Sequence, residues 1–212
     1  SGCMAQIVDQ LAELTGLRDR DTLDVSLVSS IRDLLQPRSV AVHRVVGDEG
    51  DERWLTRAVL TAGDVAARAD SSWADPQSLP LLAEHPERLR SLHSAAEVEL
   101  AGPDGGSMLL LPLASDTGVV GVVEVVTDRP LPDEFKRLLV GVLRIYRNVQ
   151  GLLDYSERDT LTGLLNRKTF DESFLRIAAQ ASPPPRARPM AEARRQPAAV
   201  RSCLAVIDID HF

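Results

Sequence analysis

The sequence predicts an α+β protein: an antiparallel sheet flanked by helices, then a long helix, then the start of an α/β unit. Three observations predict it. Apolar residues recur at helical spacing up to Leu35, β-branched segments separated by short turns fill residues 39–127, and the period turns helical for good from Pro132. The 212 residues allow one large domain, or one complete domain and part of another.

The elements follow in order. Ile7, Val8, Leu11, Leu14 and Leu17 put one apolar face on a helix from Met4 to Leu17. Asp21 or Thr22 is the expected N-cap of a second helix, which Pro37 stops after Leu35. Ser39 to Val46 alternates around Val40, Val42 and Val45, and the polar turn Gly47 to Glu52 returns the chain as a strand from Trp54 to Leu60, making a hairpin. Between Thr61 and Ser94, Pro76, Pro80 and Pro86 interrupt the pattern; short helices are expected near Leu79 to Glu84 and Glu87 to Ser94, and the segment is the one expected to cover a pocket. Strands are expected at Glu97 to Leu100, Ser107 to Leu113 and Val119 to Thr127, joined by short turns and therefore largely antiparallel.

From Pro132 to Glu157 the chain reads as one helix. Phe135, Leu138, Val142, Ile145, Val149 and Leu152 form a heptad seam, with Leu139, Tyr146 and Leu153 as a second apolar row beside it. On residues alone such a helix can pack on its own sheet; two adjacent rows point to one for the sheet and one for a partner, so the seam is assigned to a homodimer. Beyond Thr160 another amphipathic helix carries Phe170, Phe174, Leu175 and Ile177. Residues 182–202 hold five prolines and five arginines against the single acid Glu192, either a solvated loop or a basic tether for an acidic partner or phosphate. Cys203 to Phe212 reads as a buried strand with two acids, Asp208 and Asp210, at its carboxyl end. On residues alone, two acids at a strand end are more often merely solvated than functional.

Composition excludes several classes. Apolar residues make up 44% and charged residues 26%, an ordinary globular balance. The formal charge of −7 argues against a general nucleic-acid binder, because phosphate would repel it. Cys3 and Cys203 form neither a metal pair nor a disulfide framework, so a reducing, cytoplasmic compartment is expected. No run reaches the roughly 18 apolar residues of a membrane span, and Gly121 and Glu124 break the best strand-sized run; no secretion signal is expected either. His43, His85 and His93 could in principle bind haem or a metal, but they show no paired spacing, and Trp54 and Trp73 read first as core.

Two strings carry a resemblance. Arg158-Asp-Thr-Leu-Thr-Gly-Leu-Leu-Asn-Arg167 with Phe170, followed by Leu204-Ala-Val-Ile-Asp-Ile-Asp-His-Phe212, resembles the opening of a GGDEF domain, the catalytic module of diguanylate cyclases. The layout upstream, helices, hairpin, covering segment, strands and exit helix, is similar to a GAF sensor domain. The resemblance implies a GAF-like domain over 4–131, a signalling helix over 132–158 and the N-terminal part of a GGDEF domain over 159–212. It also implies condensation of two GTP into cyclic di-GMP with Mg²⁺ in the parent protein, chemistry carried by metal and positioning. Asp208 and the carbonyl of Ile209 match metal ligands, the backbone N–H groups of His211 and Phe212 face the triphosphate, and Leu161 lines the guanine pocket. The G-G-[DE]-E-F hairpin, the guanine-reading side chains and the product-inhibition site are not in the sequence, so these residues are expected to be inactive on their own. The GAF ligand is not legible: no cysteine falls in the covering segment for a bilin, and the cyclic-nucleotide string N-K-x-x-F-D-E is missing. Two rivals stand beside this reading, a receptor attached to a degenerate, non-catalytic GGDEF domain, and a dimerisation module whose pocket its own side chains fill.

Overall fold

The computed structural model describes residues 20–70, 75–102, 105–115, 118–157, 162–166 and 169–170, and the chain divides into two compact units, Ser1–Asp154 and Tyr155–Phe212. The predicted helix Met4 to Leu17, most of the helix around Phe170, the Pro/Arg stretch and the closing strand lie outside the described residues.

In the first unit, helix α1 (Arg20–Leu35) begins ahead of Asp21 and Thr22, so neither caps it, and it ends where Gln36 takes a left-handed φ of 45° before Pro37. Strands β1 (Ser39–Val46) and β2 (Arg53–Thr61) form the expected hairpin. Its turn requires glycine at Gly47, where φ is 103° and a Cβ would lie 2.7 Å from the Asp51 carbonyl oxygen. Two 3₁₀ turns (Pro76–Ser78 and Leu82–Glu84) lead into helix α2 (Pro86–Ser94), with Pro86 in its first turn, where the missing N–H costs nothing. Strands β3 (Val98–Ala101), β4 (Ser107–Ser115) and β5 (Gly118–Thr127) complete one five-stranded sheet of order β2-β1-β5-β4-β3, every pair antiparallel. Helix α3 (Asp133–Glu157) follows, with Asp133 and Glu134 in its first turn, where the helix dipole favours acids.

Strand alternation divides the side chains between two faces. On the helix face, Val40, Val42, Ala58, Leu60, Leu109, Leu111, Leu113, Val123 and Val125 meet Leu23, Leu27, Val28 and Ile31 of α1 and Leu139, Val142, Tyr146, Val149 and Leu153 of α3. On the opposite, strap face, Trp54, Val98, Leu110 and Val122 form a smaller cluster edged by Leu82, Leu92, Leu100 and Met108. Of the segment expected to cover a pocket, Leu82 and Leu92 pack against this second face, whereas Ala67 packs on the helix-face core.

The heptad seam of α3 divides differently from the expectation. Val142 and Val149 are buried in the chain's own core, Ile145 packs at the edge of that core, Phe135 and Leu138 are half-buried, and Leu152 is 70% exposed. The stripe facing the sheet is Leu139-Val142-Tyr146-Val149-Leu153, stepping by three and four. Packing on a sheet takes a broad apolar stripe, so it draws residues from both rows and withdraws Val142 and Val149 from any partner-facing seam.

In the second unit, Asn166 accepts from the backbone N–H of Thr169 at 3.0 Å and from its hydroxyl at 3.1 Å, while the Phe170 N–H reaches the Asn166 carbonyl at 2.9 Å. The asparagine of the Leu-Leu-Asn-Arg string is thus a helix N-cap.

Candidate functional site

Polar side chains interrupt the strap face at one place. The pairing registers set His43 of β1 opposite Thr56 of β2, and Glu124 of β5 beside Ala41 of β1 and Leu110 of β4. His43 is 5% exposed; its Nδ1 lies 3.2 Å from Thr56 Oγ1, and its Nε2 faces Glu124 Oε2 at 3.9 Å with no hydrogen-bond partner among the described residues. Burial first, then the charges of Arg88 and His85, lower the His43 imidazole to about 3, so it is neutral and its approach to Glu124 is a contact, not an ion pair. Arg88 of α2 donates through Nε to Glu124 Oε2 at 2.8 Å and ties the helix to the middle of the sheet.

The covering segment is fastened along the edge of β2. The Trp54 N–H reaches the Pro80 carbonyl at 2.9 Å, Arg53 Nη1 the Leu79 carbonyl at 2.8 Å, and Trp54 Nε1 the Leu82 carbonyl at 3.3 Å. Nearer the start of the segment, Asp70 accepts from the Thr56 backbone N–H at 2.7 Å. The arrangement holds a neutral donor–acceptor group, a carboxylate and a guanidinium under a strap, a combination suited to recognising a small polar molecule by hydrogen bonds.

A second polar cluster lies on the helix face. Asp24, 2% exposed, receives Arg44 through Nη2 at 3.1 Å and Nε at 3.3 Å and Arg57 through Nε at 3.4 Å, and it accepts the hydroxyl of the fully buried Tyr146. Arg44 Nη2 also lies 2.5 Å from the Tyr146 hydroxyl. Burial pushes the Tyr146 phenol above its ordinary value; Asp24 adds to the shift and Arg44 opposes it. For Arg44, burial works against the charge, but Tyr146 and Asp24 outweigh it and hold the guanidinium above its usual range. A cleft of about 280 Å³ borders the cluster, lined by Asp24, Arg44, Arg57 and Gln150 among others.

Of the residues assigned from the sequence, Asp208, Ile209, His211, Phe212 and Leu161 lie outside the described residues, as does Trp73. Among the described residues, no group of three or more His, Cys, Asp or Glu is placed to hold a metal ion. His43 alone of the three described histidines sits in a buried polar site; His85 precedes α2 and pairs with Glu87 at 3.2 Å, and His93 is exposed. Trp54 is core, 1% exposed. Sequence reasoning missed Glu124, Arg88, Asp24, Arg44 and Tyr146 as polar partners. A signal existed for Glu124, a lone acid inside an apolar strand.

With this geometry in place, solved structures identify the fold. The GAF domain of a phosphoenolpyruvate-protein phosphotransferase from Acinetobacter superposes with a TM-score of 0.51 at 15% identity, covering 74% of this chain and 96% of that one. A putative GAF sensor protein from Burkholderia vietnamiensis gives 0.51 at 9% identity, over 71% of this chain and 89% of that one. A bacteriophytochrome from R. palustris gives 0.53 at 13% identity, over 73% of this chain and 38% of that one. The chain therefore has the GAF-domain fold. No family profile matches the sequence, and no curated protein does. None of these comparisons shows a GGDEF domain. Among the described residues, no helix is long and apolar enough to cross a membrane.

Proposed function

We propose that the chain is the sensory and transmitting region of a signalling protein, in which the strap face of the GAF domain receives a small polar signal and α3 passes it toward a GGDEF domain. The observation that carries this reading is a GAF fold whose sheet is packed directly on a 25-residue helix that leads to the Asp159-Thr-Leu-Thr-Gly string. In the parent protein the complete GGDEF domain, of which residues 159–212 supply the N-terminal part, would condense two GTP into cyclic di-GMP, with Asp208 and the Ile209 carbonyl among the groups that would hold Mg²⁺ and Leu161, His211 and Phe212 among those that would hold the nucleotide. Such a reaction needs two GTP-loaded domains face to face, so α3 is proposed to pair with a second copy. The exposed Leu152, a member of the expected seam, supports that pairing.

The test uses the full-length parent with GTP and Mg²⁺. Cyclic di-GMP should form, Asp208→Ala should abolish it, and Leu152→Glu, at a position where no core packing is lost, should convert a dimer to monomers by light scattering. A parent that turns over no GTP, or that is monomeric at tens of micromolar, overturns the corresponding half of the proposal.

A second reading is favoured by one observation: Trp54, Leu110 and Val122 fill much of the strap face with the chain's own side chains. On that reading the domain dimerises and regulates without a ligand. Native mass spectrometry of the purified protein separates the two, since a co-purified small molecule belongs only to the first.

A further inference from the structure

The two polar clusters meet at one peptide bond. His43 and Arg44 are consecutive in β1, so an extended backbone must send their side chains to opposite faces, His43 toward Thr56 and Glu124 and Arg44 toward Asp24 and Tyr146. The ladder is irregular here: the β1–β2 register shifts between Val42 and His43, leaving Arg57 as the extra residue of a bulge, and Arg57 joins the same Asp24. From the other side β5 presses closely. A Cβ on Gly121 would lie 2.3 Å from the His43 carbonyl oxygen and 3.1 Å from Arg44 Cα, so the shared peptide has no slack toward β5.

The contacts beyond that peptide differ in kind. Leu139, Val142, Val149 and Leu153 hold α3 by aliphatic packing, which tolerates small slides and rotations. The Arg44–Tyr146 contact, 2.5 Å between a guanidinium and a buried hydroxyl, is directional and fails within a fraction of an ångström or a few tens of degrees. On the strap face, Glu124 is held by Arg88 of α2 and lies 3.9 Å from His43, so a rearrangement of the covering helix that moves Arg88 reaches Glu124 and, beside it, His43.

We infer that the His43–Arg44 peptide relays the state of the strap face to α3, with Arg44 and Tyr146 as the positioning residues that convert a displacement of β1 into a change of the helix. The relay depends on the sensory reading only for calling the strap face the input side. Its test needs no ligand, so its failure and the failure of that reading are distinguishable.

The test is a cross-face mutant cycle on the chain as it exists: His43→Gln, Tyr146→Phe and the pair, read by hydrogen exchange of α3 residues 143–153 and by urea unfolding. His43→Gln should change α3 exchange several-fold although it touches only the other face. In the Tyr146→Phe background the same substitution should leave α3 exchange unchanged. The two substitutions should be non-additive by at least about threefold in the unfolding constant, ~0.6 kcal/mol from RT. Val149→Ala, which loosens α3 without touching the relay, should be additive with His43→Gln. Additivity of His43→Gln with Tyr146→Phe, or equal non-additivity with Val149→Ala, overturns the relay. Should Tyr146→Phe not fold, Arg44→Lys, which keeps the charge and loses the fork, takes its place in the cycle with the same outcomes expected.

Discussion

The two faces of the sheet are built to different specifications. The helix face closes over aliphatic residues from α1, α3 and four strands; one polar cluster there shares Asp24 among two guanidiniums and a phenol, and another joins Lys136 of α3 to Glu99 and the buried Ser107. The strap face has a core of Trp54, Val98, Leu110 and Val122, a neutral buried histidine, and a covering segment held by backbone and side-chain hydrogen bonds along β2 and by the Arg88–Glu124 pair. A large cooperative core resists local opening, whereas a small one under a short strap opens at lower cost. The difference assigns stability to one side and responsiveness to the other, across a sheet one residue thick.

Matched truncations break or sharpen that contrast most strongly. Leu110 and Leu111 are neighbours on β4, 0% and 2% exposed, facing the strap and the helices respectively. Leu111→Ala should cost in the upper part of the roughly 2–5 kcal/mol range for buried leucines, because two helices and the sheet cannot collapse into the cavity. Leu110→Ala should fall in the lower part, since the strap can settle. Urea unfolding measures both, and equal losses would erase the distinction between the faces.

A smaller effect is expected where the faces join. Gly121→Ala places a methyl group against backbone atoms that no rotamer change can move, 2.3 Å from the His43 carbonyl oxygen. The β1–β5 ladder must spread, at a cost of about 1–3 kcal/mol as for other overpacked sites. Amide exchange should quicken at residues 43–44 and 121–122 before it does so in β3 and β4. An alanine there that leaves both stability and exchange untouched would show that the central peptide is not clamped.

Most of the fold was legible from local patterns, and the polar clusters were not. Strand β1 is found at the predicted Ser39 to Val46, and α3 within one residue of its predicted start, because alternation and helical spacing are local signals. The seam on α3 is not legible in the sequence because two apolar rows share one period and only the sheet decides which stripe it takes; Val142 and Val149 of one row turn inward with Leu139, Tyr146 and Leu153 of the other. Asp24 looks like a solvent-facing residue in α1 until Arg44, 20 positions on, and Tyr146, 122 positions on, close around it. Pairings at that separation leave no mark on sequence periodicity. Glu124 did leave one, since an acid in the middle of an apolar strand has to be paid for by a partner such as Arg88.

The mildest probe of the contrast is pH. The folded His43 titrates at about 3 against 6.5 for the ordinary imidazole, so between those values the unfolded chain binds a proton that the folded chain refuses. Stability from this residue is therefore complete above pH 6.5, falls as the pH falls through the window, and levels off below about 3. By pH 5 the loss amounts to about 2 kcal/mol. Tyr146 and Arg44 on the helix face are shifted upward, away from this range, and contribute no slope in it. Carboxylates elsewhere titrate in the wild type and in His43→Gln alike, so the informative quantity is the difference between the two proteins in urea stability at pH 7 and pH 5. The variant should lose less on acidification, and the His43 ring resonances should not titrate between pH 8 and pH 5 in the folded protein. Ring resonances that titrate near 6.5 would mean that the strap face admits water and charge freely, and the histidine would then be a surface group rather than part of a closed site.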